Sequence, residues 1–168
     1  IHVASNGDDM HYLMWNEEGI PCRVVHQFPI ASYLINALLI PLKQQLVANR
    51  ILLLQLSSIH FLTTLSGQAL ITLIYENSKE LTSITDDWRA ACTAMITVLL
   101  QLEIPQDPLR LRVLSIIGAS KGVRLVCPLN STNVQEELHI TLPTTEDIIG
   151  TTQDVVLRYR FPFNGFSN

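Results

Sequence analysis

Two long runs rich in leucine, isoleucine and threonine, residues 51–65 and 68–76, meet at Ser66-Gly67. Apolar β-formers broken once by a short glycine-containing turn read as a β-hairpin with a two-residue connection. That hairpin ties down the rest of the chain, because everything else must either extend its sheet or cover it.

On its amino-terminal side, residues 1–26 read as a short meander. Strand-like runs Ile1–Ser5, Met10–Trp15 and Ile20–His26 are separated by turn signals at Asn6-Gly7-Asp8 and Glu17-Glu18-Gly19. From Ser32 to Asn49 the residues Leu34, Ile35, Leu38, Leu39, Leu42 and Leu46 recur at helical spacing, with Ser32 as N-cap. Pro41 is expected to kink or split that helix, since it lacks a backbone donor and crowds the preceding turn. After the hairpin a second amphipathic helix is expected, with Thr85 as its cap and Asp86 and Asp87 at its positive end. Trp88, Cys92, Met95, Leu99 and Leu102 share one face, and Pro105 and Pro108 end it. Leu109, Leu111 and Val113 alternate with Arg110 and Arg112, as on a strand with one buried face. Gly118 to Gly122 reads as a turn, and Val123–Cys127, Leu138–Leu142 and Val155–Phe161 as further strands. The expected fold is α+β: a mainly antiparallel sheet flanked by two amphipathic helices, with residues 1–168 as a single domain.

Composition limits the chemistry. The longest apolar stretches, Ile51–Leu56 and Leu70–Tyr75, are far shorter than the roughly 20 residues of a membrane helix, so no membrane span is expected. No targeting peptide is visible, and Cys22, Cys92 and Cys127 are widely spaced and odd in number. That argues against a disulfide framework, a zinc site and secretion, and for a reducing compartment: a cytoplasm or an organellar, mitochondrial matrix. A net charge of −4 excludes bulk electrostatics as the grip on nucleic acid, so RNA binding must rest on local patches. The charged fraction of 15% is low against a usual figure of about 25%, which suggests surface buried against a partner or a missing domain.

Three stretches resemble the bacterial-type tRNA (uracil-5-)-methyltransferases, in the branch without an amino-terminal OB-type domain. They are Asn6-Gly7-Asp8-Asp9 with Tyr12, Arg23 and Phe28-Pro29-Ile30-Ala31-Ser32 leading into Leu34-Ile35-Asn36; Phe61 to Ala69 with Tyr75; and Asp86-Asp87-Trp88. The fit runs from Ile1 to about Gly122 and is loose beyond. The resemblance implies the RNA-facing region that precedes a Rossmann-like catalytic domain, which binds S-adenosylmethionine and attacks uracil through a cysteine. Neither a glycine-rich cofactor loop nor an Asp-Pro-Pro-Arg stretch nor a Ser-Cys-Asn context stands in this chain, so no cofactor and no catalytic residue is expected in it. A fragment, one half of a split enzyme or a truncated relative is implied. Ala119, Gly122, Glu76 and His2 stand where the family tends to be basic, which weakens the expected grip on phosphate.

The candidate RNA-binding residues are Arg23, Thr63, Thr64, Gln68, Arg110, Arg112, Lys121, Arg124, Arg158 and Arg160. Arg110 with Arg112, and Arg158 with Arg160, share a strand face and could track a phosphate backbone; a solvated face with carboxylate partners is the plain alternative. Lys121 and Arg124 sit in or beside a glycine turn whose amides could help hold a phosphate. Thr63, Thr64 and Gln68 surround a hairpin tip, where cross-strand threonine pairing is the structural alternative. Asp8 and Asp9 read as turn caps, Trp88 as a core anchor, and the histidines show no metal-ligand spacing. The expected partners are tRNA or rRNA and a catalytic methyltransferase domain or other protein subunits. The competing reading is a degenerate, inactive relative acting as a protein-binding scaffold in a ribosome or ribosome-assembly complex, and an independent small-molecule enzyme is a distant third.

Overall fold

The computed structural model describes residues 1–6, 9–24, 27–64, 67–103, 111, 113–127, 137–142 and 155–160. The chain forms β1 (His2–Asn6), β2 (Asp9–Trp15), β3 (Pro21–Val24), α1 (Tyr33–Ala48), α2 (Arg50–Leu53), β4 (Leu56–Thr63), β5 (Gln68–Tyr75), α3 (Ser78–Ser83), α4 (Thr85–Leu100), β6 (Val113–Ser120), β7 (Val123–Cys127), β8 (Glu137–Leu142) and β9 (Val155–Arg160). Seven strands make one sheet in the order β3-β2-β1-β4-β5-β6-β7, and β8 pairs with β9 as a separate ribbon. The class is α+β, as the sequence predicts. All pairings are antiparallel except β5 with β6, which run parallel because α3 and α4 carry the chain back across the sheet.

The helices lie on one face. Leu34, Leu38, Leu39, Leu42 and Leu46 of α1 and Trp88, Cys92, Met95 and Leu99 of α4 pack with Ile59, Ile71, Leu73 and Ile116 of the sheet in one buried cluster. Each fully buried side chain of this size contributes about 1.5–3 kcal/mol. The other face of the central strands carries a smaller buried cluster of Leu70 and Ile117. The β3-β2-β1 meander joins β4 along a thin seam: His2 pairs with Ser58, the Ile59 amide donates to the Ile1 carbonyl at 2.8 Å, and the Ile1 amino group donates to the Ile59 carbonyl at 3.1 Å.

Several expectations are corrected. Pro41 lies inside α1 without splitting it, and the chain leaves helix only at Asn49, whose side chain accepts from the Ile51 amide at 3.2 Å and caps α2. The strand expected from residue 51 therefore starts at Leu56, after Gln55 turns the backbone with φ +58°. The hairpin closes with three residues rather than two. Thr64 and Gln68 form its last pair, the Gly67 amide donates to the Thr64 carbonyl at 3.3 Å, and Gly67 has φ +79°, a conformation that favours glycine. A helix that the sequence reading missed, α3, follows β5, and Thr85 does not cap α4: the N-cap is Ile84, and the Thr85 hydroxyl donates to the Thr82 carbonyl of α3 at 3.0 Å. Gly118 belongs to β6 and not to a turn, which is confined to Lys121-Gly122. Its strand position has a packing reason. A Cβ there would stand 2.6 Å from Cζ2 and 2.9 Å from Cε2 of Trp88, so only glycine lets the indole lie on the sheet. Pro105, Pro108 and, of the strand expected from Leu109, the residues Leu109, Arg110 and Arg112 fall outside the described residues, and β6 starts at Val113.

Candidate functional site

The motif residues that drew attention in the sequence are the bonded anchors of the fold. Tyr12 is 4% exposed, and its phenol donates to the Leu39 carbonyl of α1 at 2.8 Å, binding the meander to the helix layer. Beside it, Asp9 opens β2, caps the Met10 amide at 2.7 Å and pairs with Lys43 of α1 at 3.0 Å and His11 at 3.3 Å. The Lys43 ammonium, ahead of the Met10 amide, holds the Asp9 carboxyl below its ordinary value. The loop before α1 is tied down by Asn36. Its Oδ1 accepts from the Phe28 amide at 2.6 Å, and its Nδ2 lies 3.0–3.2 Å from the carbonyls of Phe28, Ala31 and Ser32.

In the core, the Trp88 indole donates to the Tyr75 oxygen at 2.9 Å, and the Tyr75 phenol donates to the Leu52 carbonyl at 3.0 Å. This relay joins α4, β5 and α2 through two buried side chains, and burial pushes the Tyr75 phenol up. Burial also raises the Cys92 thiol, with Cys127 adding to the effect. Cys127 is 2% exposed; its sulfur lies 3.4 Å from the Thr93 hydroxyl and donates to the Arg89 carbonyl at 3.8 Å. Both thiols sit as core residues, the reverse of the electropositive, accessible setting that activates a cysteine.

Among the described residues, the candidate RNA-binding positions of the seven-stranded sheet do not converge on one patch. Thr63, Thr64 and Gln68 stand at the hairpin end of the sheet. The Thr63 hydroxyl lies 2.8 Å from that of Ser32, while the Thr64 hydroxyl accepts from the Gln68 amide at 3.2 Å, a contact along the turn and not a cross-strand threonine pair. Strand alternation sends Thr63 to the helix face and Gln68 to the opposite one. Lys121 and Arg124 lie at the far end of β6, whose eight residues put them about 23 Å from the Gln68–Val113 pair. Lys121 is exposed and Arg124 half-buried. Arg23 is on β3, at the opposite edge of the seven-stranded sheet from Arg124 on β7, about 29 Å away across six strand spacings. Arg158 and Arg160 pair in backbone register with His139 and Glu137 in the separate ribbon, and Arg110 and Arg112 lie outside the described residues.

Sequence reasoning took Ser32 as a cap and quoted Ile30, Ser32 and Asn36 in the family motif, but named none of them, nor Tyr33, as a candidate binding residue. An asparagine one turn inside a helix that begins with Ser is the signal that marks such a buttressed loop. Among the described residues no group of three or more His, Cys, Asp or Glu side chains is placed to hold a metal ion, and no helix is long and apolar enough to cross a membrane.

Comparison with known proteins agrees with the resemblance read from the motifs. A family profile described as tRNA (Uracil-5-)-methyltransferase matches residues 1–146. A tRNA/tmRNA (uracil-C(5))-methyltransferase of Vibrio cholerae is 38% identical over 95 residues, 56% of this chain and 24% of the relative. Proteins of the same description from Pseudomonas fluorescens and Chromohalobacter salexigens are 35% and 34% identical, covering 74% and 80% of this chain and 30% and 32% of their own. The chain thus spans about a quarter to a third of the length of these curated relatives.

Proposed function

The chain belongs to the tRNA (uracil-5-)-methyltransferase family, and from that premise we propose that it is the part that recognises and positions the RNA, without chemistry of its own. The observation that carries the reading is the use made of the family's motif residues. Tyr12, Asn36, Tyr75 and Trp88 are spent on holding a turn, a hairpin and a sheet rigid, and that is what a platform must do while a target base leaves its stack. The relatives are named for tRNA and tmRNA as substrates, and the structured RNA that this platform would hold is a tRNA arm or a related fold in rRNA.

S-Adenosylmethionine, the cofactor that the family implies, does not fit the described residues. Parallel strand–helix–strand units take nucleotides at glycine-rich turns after the strand. The turn after β5 in this chain's parallel unit reads Tyr75-Glu76-Asn77-Ser78, without glycine, and the space beneath α4 is filled by Trp88 against Gly118. We place cofactor and nucleophile on a methyltransferase domain that works together with these residues.

A second reading, a protein-binding scaffold within a ribonucleoprotein, is favoured by the exposed Trp15, Ile20, Leu54 and Val98, which are 43–55% exposed. Titrating the purified chain against a fluorescent T-arm hairpin at two salt concentrations separates the two. The RNA reading expects saturable binding that weakens with salt, and a slope that falls by about one when Lys121 is replaced by alanine. No saturation at low salt, with native purification returning ribosomal or assembly proteins, would establish the scaffold instead.

A further inference from the structure

Ile30 is the most exposed large apolar residue among those described, at 86%, and it is not on a loose segment. The Ala31 amide donates to the Phe28 carbonyl at 2.9 Å, closing a turn with Pro29 and Ile30 at its tip, and Asn36 braces that turn through Phe28, Ala31 and Ser32. Three residues on, Tyr33 opens α1 with half its surface in solvent. Between them Ser32 reaches to Thr63 of the hairpin at 2.8 Å, so the turn, the helix start and the end of β4 form one fixed ledge.

The hydroxyl pair has capacity left over. Ser32 Oγ accepts from the Ile35 amide at 3.2 Å, and one of the two hydroxyls donates to the other. Two hydroxyls carry two protons, and their mutual bond uses one, so one O–H remains to donate outward whichever way the pair is polarised. No Lys, Arg, Asp or Glu occurs from Val24 to Leu42, so the turn and the helix start bring no ammonium, guanidinium or carboxylate of their own to a phosphate. An apolar tip, an aromatic ring and a spare hydroxyl donor together suit the flat face and polar edge of a nucleobase.

We propose that Ile30 and Tyr33 form a stacking ledge for an unpaired base of the RNA, with the Ser32–Thr63 hydroxyl pair bonding to its edge. The inference rests on the RNA-positioning reading and adds a base-contacting site separate from the cations at Lys121 and Arg124. The ledge contributes to affinity without contributing to its salt dependence, because it neutralises no phosphate.

The test is fluorescence anisotropy with a short RNA hairpin bearing an unpaired, uridine-containing loop, against a blunt duplex of the same stem. Tyr33→Ala and Ile30→Ala are each expected to weaken hairpin binding roughly tenfold. Duplex binding and the slope of log affinity against log salt should stay as in the unsubstituted chain, and so should the melting temperature of the Ile30→Ala variant. Tyr33→Phe keeps the ring and should restore affinity. Variants that bind the hairpin like the unsubstituted chain would overturn the ledge while leaving the RNA reading intact. So would a loss shared equally by the duplex, or a loss only of protein partners in a pull-down. Failure of the unsubstituted chain to bind either RNA overturns the parent reading and the ledge with it.

Discussion

Replacing Gly118 by alanine puts a methyl group where the structure holds the edge of an indole. The added Cβ would lie 2.6 Å from Cζ2 and 2.9 Å from Cε2 of Trp88, against about 3.5–4.0 Å for an unstrained carbon pair. The ring must retreat by roughly an ångström, and it is not free to do so. Trp88 is fully buried and its Nε1 is bonded at 2.9 Å to Tyr75, which is bonded at 3.0 Å to Leu52. Overpacking of this kind costs about 1–3 kcal/mol. Stretching the indole–phenol bond beyond useful length leaves a buried donor unsatisfied, at about 1–3 kcal/mol more. Against these stands a gain of about 0.4–1 kcal/mol from restricting the unfolded chain. A net loss of about 3 kcal/mol is expected, which for a chain of this size lowers the melting temperature by about 6–12 °C. Urea unfolding followed by circular dichroism measures it. The double substitution Gly118→Ala with Trp88→Phe supplies the decisive control, because a smaller ring recovers part of the space and the two costs should not add. A loss below about 0.5 kcal/mol, or strictly additive costs in the cycle, would refute the claim that this contact demands glycine.

Three further outcomes follow from the same geometry. Burial lowers the His60 pKa, with the amino terminus and His2 adding to the effect, so the unfolded chain binds the proton more readily; stability should fall as pH drops below the ordinary histidine value of 6.5, and His60→Gln should flatten that limb in pH-resolved urea titrations. Lys43, ahead of the Met10 amide, lowers the Asp9 pKa, so the carboxylate's contribution is present above 3.8 and fades as pH falls through the lower folded value; Lys43→Met should reduce that acid sensitivity to the part the Met10 amide and His11 sustain, and an unchanged acid limb would deny the pair any role. Asn36→Ala leaves the Phe28 amide without its acceptor, and amide hydrogen exchange at Phe28 and Ala31 should accelerate at least tenfold, equivalent to about 1.4 kcal/mol of lost protection, while the core strands exchange unchanged.

Period and punctuation made much of this legible in the sequence. The leucine stripe from Leu34 to Leu46 predicts α1 and its buried face, and the alternation around Asn6-Gly7 and Glu18-Gly19 predicts the meander. What the sequence hid was decided by tertiary contact. Ile51 to Leu53 are as apolar as a strand and became a helical turn because Asn49 caps them and Tyr75 takes the Leu52 carbonyl. Gly118 reads as a turn residue by type, yet it serves as the seat of Trp88. The parallel β5–β6 pair could not be read from either strand, since direction follows from the route of α3 and α4 between them. For the candidate site, residue type identified the cations and hydroxyls, but only three-dimensional placement separates the Thr63 end from the Lys121 end and shows Ser32 beside the former.

The narrow join between β1 and β4 also has a kinetic meaning. It is closed by groups 58 residues apart in sequence, whereas β1 with β2 and β4 with β5 each pair through short local turns. Local pairings form early and long-range closure comes late, so the two hairpins should assemble as independent modules and the join between them should be the last contact made. Run in reverse, it is the first to part. Under load or mild denaturant the amino-terminal meander would then peel from the body of the sheet, with the Tyr12–Leu39 and Asp9–Lys43 bonds to α1 giving way next, while α4 and the central strands remain folded.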